Sequence, residues 1–93
     1  MMFMGVDFYG YTVFENGVIK KQEKTMIPFI DKDGYMRISL VVNKKQKKFF
    51  VHRLVYELYV GKLKDGYVCC HNDNNKINNH WKNLRMDSQK NNI

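Results

Sequence analysis

At 93 residues the chain holds one small domain, able to bury only about 60–65% of the surface its unfolded form exposes. Sixteen Lys and Arg against nine Asp and Glu give a formal charge of +7 and a pI near 9.5, which on so short a chain favours a polyanionic partner, nucleic acid or an anionic surface. An apolar share of 44% excludes a disordered chain, and no run approaches the ~18 apolar residues of a membrane span.

The opening MMFMGVDFYGY lacks a cationic n-region and is interrupted by Asp7, so it does not read as a signal peptide and an intracellular chain is expected. Tyr9 to Phe14 is rich in β-formers. Glu15-Asn16-Gly17 follows, then Val18-Ile19-Lys20, and Asn-Gly between β-prone runs predicts a hairpin. Residues 20–25, KKQEKT, read as a polar loop. Met26 to Ile30 reads as a short strand that Pro28 confines to a sheet edge. Asp31-Lys32-Asp33-Gly34 predicts a turn with Gly34 at positive φ.

From Tyr35 to Val42 the pattern alternates, with Met36, Ile38, Leu40 and Val42 on one face, as in a half-buried strand. Asn43 to Gln46 should turn the chain and Lys47 to Val51 return it. Lys44, Lys45, Lys47 and Lys48 would then cluster at a hairpin tip, as a solvated turn or as a phosphate-contacting finger. From His52 to Val60 the period becomes helical, and Gly61 ends it. Tyr67 to Cys70 is a further β-prone run. Asn72 to Asn79 has no periodicity and reads as an ordered loop. Leu84 to Met86 suggests a strand, and Ser88 can cap a final helix from Gln89 onward. Cys69 and Cys70 are adjacent, a spacing that disfavours a disulfide between them and suits free thiols.

The residues from 51 onward, VHRLVYELYVGKLKDGYV, HNDNNKINN, the NL pair at 83–84 and SQKNN at 88–92, resemble the HNH endonuclease superfamily in its phage and intron-encoded homing endonuclease branch. The resemblance implies an α+β fold: N-terminal antiparallel β-hairpins and a helix, then a ββα-metal (His-Me finger) nuclease motif. It divides one domain, residues 1–93, into a β-rich basic DNA-contacting part at 1–50 and the HNH core at 51–93.

Site roles follow from the same resemblance. His71 matches the general base that activates water. Asn83 matches the central asparagine that holds the loop and orients the histidine, and Asn92 matches a metal ligand. Cys70 stands where the family places its other ligand, normally Asp, Asn or His. Asp73 and Asn74 match the loop that follows the histidine, Asn74 standing where Gly is frequent and tolerating the same left-handed backbone. The implied cofactor is a divalent ion, Mg²⁺ or Mn²⁺, with Zn²⁺ admitted by the soft thiolate of Cys70. The implied partner is DNA and not a membrane, with a homodimer and a targeting partner protein both left open. Arg37, Lys44, Lys45, Lys47, Lys48, Arg53 and His80 are the candidate DNA contacts. His52 reads as a buried, hydrogen-bonded histidine, Trp81 and Leu84 as core, and Cys69 as a small inward hydrophobe.

One imidazole of near-neutral pKa can take a proton from water, and a cation can stabilise the phosphorane and the leaving oxygen. Two alternatives stand beside this enzyme: a catalytically silent basic DNA-binding module on the same fold, and a structural zinc domain built from Cys69, Cys70, His71 and His80. The zinc domain is disfavoured by the missing C-x₂₋₄-C spacing.

Overall fold

The computed structural model describes residues 5–89. The chain opens with a four-stranded antiparallel meander: β1 (Val6–Phe8), β2 (Tyr11–Val13), β3 (Ile19–Lys21) and β4 (Lys24–Thr25). The Asn-Gly hairpin is present between β2 and β3. Phe14 accepts from the Gly17 N–H at 2.9 Å, and Asn16 Oδ1 accepts from the Val18 N–H at 3.1 Å. Two pairings differ from expectation. Val6–Phe8 forms a strand because Tyr9 and Gly10, at φ 51° and 87°, make a tight turn into β2. Residues 20–25 are a second hairpin and not a loop, turning at Gln22 with φ 56°. From residue 21 to 25 its side chains are exposed, so ladder hydrogen bonds define it and hydrophobic alternation does not.

A second sheet joins β5 (Phe29–Ile30), β6 (Met36–Val42) and β7 (Lys45–Phe50). Pro28 lies just before the short edge strand β5, which is shorter than the Met26–Ile30 run suggested. In β6, Ile38, Leu40 and Val42 are buried and Val41 is exposed, the alternation of a one-sided sheet. Asn43 and Lys44 both take positive φ, 52° and 66°, so the hairpin closes in two residues and β7 begins at Lys45. This separates the four lysines. Lys47 pairs with Leu40 and shares the inward face with Phe49, whereas Lys48 pairs with Ser39 and shares the outer face with Phe50 and Arg37.

Helix α1 (Val51–Tyr59) follows β7 directly, with Phe50 at its N-cap and no side-chain cap. Val51, Leu54 and Val55 place it in the core with Tyr11, Val13 and Ile19 of the first sheet and Ile38 and Leu40 of the second. The Tyr59 hydroxyl donates to the Val13 carbonyl at 2.6 Å. A third antiparallel pair, β8 (Tyr67–His71) and β9 (Leu84–Ser88), packs on α1 and adds Cys69 and Leu84 to the same core. Ser88 ends β9; the helix it was expected to cap, with Asn92, lies outside the described residues.

Candidate active site

β8 and β9 pair in register His71↔Leu84, Cys70↔Arg85 and Cys69↔Met86. Between them the asparagine-rich segment forms a loop closed by a 3₁₀ turn, Trp81–Asn83. Asp73 organises that loop. Its carboxylate accepts from the Asn75 N–H at 2.8 Å and from the Asn78 and Asn83 amides at 2.9 Å each. These bonds, the Asn78 amide first, hold its pKa down to about 2. Asn83 returns the contact, its Oδ1 accepting from the Asp73 N–H at 3.3 Å and its amide donating to the Asn78 carbonyl at 2.9 Å. Asn74 takes the left-handed conformation, φ 60°, that its type tolerates.

His71 ends β8 and is 6% exposed. Its Nε2 lies 2.8 Å from Asn79 Oδ1, and Asn79 is itself 2% exposed. The Asn79 amide nitrogen is turned to Met36 Sδ at 3.6 Å, so the oxygen faces the imidazole. An amide oxygen only accepts, which puts the hydrogen on Nε2 and leaves Nδ1 as the basic nitrogen. Asn83 was expected to hold the loop and orient the histidine: its side-chain bonds go to the loop, and the side chain bonded to the His71 ring is Asn79. Asn83 lies just before the strand residue paired with His71, its amide donating to the Asp73 carboxylate and the Asn78 carbonyl.

A cleft of about 190 Å³ opens beside His71, lined by Tyr35, Cys69, Cys70, Asn74, Lys76 and Arg85. Arg85, facing Cys70 across the pair, donates to Asn72 Oδ1 at 2.9 Å and remains exposed. Lys76 lies 4.6 Å above the Tyr35 ring and donates to the Asp33 carbonyl at 2.7 Å. Two cations therefore flank the imidazole, an arrangement suited to a phosphodiester. Neither was singled out from the sequence, nor was Tyr35. The alternation of Leu84-Arg85-Met86 opposite Cys70 was the available signal for Arg85.

Both cysteines are buried free thiols. Burial, then the neighbouring Cys70, pushes Cys69 up to about 12, and its Sγ meets the His52 carbonyl at 3.7 Å, as expected of an inward hydrophobe. Burial also raises Cys70, against the lowering effect of Arg85. Among the described residues no three His, Cys, Asp or Glu side chains group to hold a metal. That removes the four-ligand zinc centre: Cys69 belongs to the core, and His80 faces Glu15 elsewhere. Among the described residues the cleft lining holds the Cys70 thiol, the His71 imidazole and the neutral oxygens of Asn74 and Tyr35 but no carboxylate, a poor set for a hard divalent ion.

The remaining candidates are dispersed. Arg37 lies 4.0 Å over the Phe50 ring and binds Asp31 at 2.9 Å, on the outer face it shares with Lys48. Lys47, Lys48 and Arg53 border a separate hollow of about 490 Å³, and Lys44 and Lys45 sit at the hairpin tip. His80 caps the 3₁₀ turn, its Nδ1 accepting from the Lys82 N–H at 3.2 Å. His52 is buried, but its Nδ1 has no hydrogen-bond partner, which corrects the expectation of a hydrogen-bonded histidine.

Residues 49–92 match the family model described as HNH endonuclease. The chain is 45% identical over 73 residues to DNA endonuclease I-HmuI of Bacillus phage SP01, across 78% of this chain and 42% of that protein. It is 34% identical over 85 residues to an HNH endonuclease named L245 of Acanthamoeba polyphaga mimivirus, across 89% of this chain and 26% of that one. A solved structure of DNA binding and cleavage by the HNH homing endonuclease I-HmuI superposes with a TM-score of 0.83 at 40% identity, covering 99% of this chain and 55% of the other. The chain thus spans about half the length, or less, of these relatives. With its small α+β architecture shared along nearly its whole length and the motif region matched, the chain belongs to the HNH endonuclease family.

Proposed function

We propose that this chain is the nuclease part of a DNA endonuclease, with His71 as general base for phosphodiester hydrolysis. The observation that carries the reading is the Asn79–His71 bond. It puts a hydrogen on Nε2 and leaves Nδ1 as the ring nitrogen open to accept a proton, beside a cleft flanked by Arg85 and Lys76. His71 takes a proton from water, the water oxygen attacks phosphorus in line, and the bond to the leaving 3′-oxygen breaks. Arg85 and Lys76 hold the phosphate oxygens, and Asp73 with Asn83 keeps the loop in shape. HNH nucleases generally use a divalent ion, which stabilises the leaving oxygen when bound. For it we propose Cys70, Asn92 and the substrate phosphate as ligands. The outer face with Arg37 and Lys48, the tip lysines 44 and 45, and Lys47 and Arg53 contact the DNA backbone.

DNA binding without cleavage is the second reading, and one observation favours it: burial keeps Cys70 protonated where the family carries a hard ligand. Supercoiled plasmid incubated with Mg²⁺ or Mn²⁺ separates the two. Nicking is expected, with His71→Ala about 10²–10⁴-fold slower and Cys70→Asp faster in Mg²⁺. Retardation of the DNA without nicking in either metal leaves the silent module.

A further inference from the structure

Behind His71 lies a second imidazole that the reaction leaves unused. His52, the second residue of α1, is 5% exposed, and its Nδ1 is buried without a partner among the described residues. Its ring centre is 4.8 Å from that of His71, tilted by 45°. Tyr35 lies against both rings, 5.3 Å from His52 at 25° and 6.2 Å from His71 at 30°. Phe50 closes the edge of His52 at 5.4 Å. A buried nitrogen left unpaired costs stability. The neighbours on this helix face, Val51 and Val55, are apolar, so an apolar side chain would avoid that cost. Burial, then the His71 charge, brings His52 down to about 4, so it stays neutral and is no rival base.

The bond to Asn79 holds the His71 ring at one edge only. Rotation about the Cβ–Cγ bond, a broad torsion for histidine, carries Nδ1 further than Nε2 and bends the Asn79 bond as it goes. Contact with the ring faces opposes that rotation. Resting on the reading of His71 as the base, we propose that His52 is a positioning residue: its flat, small imidazole, with Tyr35, sets the plane of the His71 ring and so the direction of Nδ1.

His52→Leu and His52→Phe test this, one removing the flat ring and the other enlarging it. Both are expected to fold with a melting temperature at or above the parent's, because the unpaired nitrogen is gone. Plasmid nicking at saturating enzyme should fall about 10–100-fold, the scale of a misplaced catalytic group, with DNA affinity unchanged. In long-range ¹⁵N–¹H spectra the His71 ring should change from one set of signals to a broadened or mixed-tautomer pattern. Parental nicking by a folded variant overturns the proposal, as does a loss confined to DNA affinity. If the parent itself does not nick, the endonuclease reading fails separately, and an unchanged His71 spectrum in both variants still overturns this one.

Discussion

Asn79 and Asn83 are the same residue type four positions apart, and their side chains do different work. Asn79 meets the imidazole, and Asn83 meets Asp73 and a loop carbonyl. Asn79→Ala should therefore slow nicking by about 10-fold or more with little change in DNA affinity, measured in single turnover. Equal rates would remove it from the site. His52 gives a second prediction at this scale. Its pKa is about 4 in the fold against an ordinary 6.5. Between these values the unfolded chain binds a proton here and the folded chain does not, so stability falls as pH drops through that window. The contribution is on the order of 3 kcal/mol at most. His52→Phe lacks it, so urea unfolding should show the variant gaining on the parent between pH 7 and pH 4.5. A constant difference would contradict the shift. Cys70, His71 and Asn83 could be named from the sequence because a motif spacing carries them, and the fold sets His71 and Cys70 at one cleft with Asn83 in its loop. Asn79, Arg85 and Tyr35 could not, because their roles come from what the folded chain sets beside them: Met36 turning an amide, a strand register, two rings in reach of a third.

The turns governed how well the elements could be read. Asn16-Gly17 and Gly34 announce themselves by residue type, whereas Tyr9-Gly10, Gln22 and Asn43-Lys44 reach positive φ within runs whose composition suggested strand, loop or a longer turn. Helix α1 and strand β6 were legible because burial on one side stamps a period on them. The polar hairpin at β3 and β4 carries no such stamp. Gly17 also has a role beyond its turn. At φ 92°, a Cβ there would stand 3.1 Å from Asn79 Cβ and 3.2 Å from Val51 Cγ1, so the first hairpin abuts the residue that holds His71. Gly17→Ala should lower the melting temperature by roughly 4–16 °C and also slow nicking. Gly10→Ala, at φ 87° with nothing near its Cβ, should cost stability alone. Equal nicking by the two would show that the hairpin does not bear on the loop.

Across the whole molecule, the formal charge of +7 is spread over separate surfaces. The outer face of the second sheet carries Arg37 and Lys48 beside Phe29 and Phe50, joined through Tyr35 to the cleft cations Lys76 and Arg85. Contact with roughly 4–6 phosphates would give a slope of about −4 to −5 for log affinity against log salt. Lys48→Ala should make that slope shallower by about 1 at every sequence tested, and an unchanged slope would take Lys48 off the DNA. Net charge pointed to a polyanion, but which cations share a face depended on a two-residue turn. The described chain holds no helix long and apolar enough to cross a membrane. The Trp81 N–H donates to the Glu15 carbonyl at 2.9 Å, and the Trp81 indole reaches the Glu15 carboxylate at 3.4 Å. The matched motif begins at residue 49, so the matched stretch leans on a strand turn it does not encode. Grafting it into another protein would therefore mean carrying the first hairpin along, and a library that shuffles motif and leader independently would return mostly chains whose loop has lost its buttress.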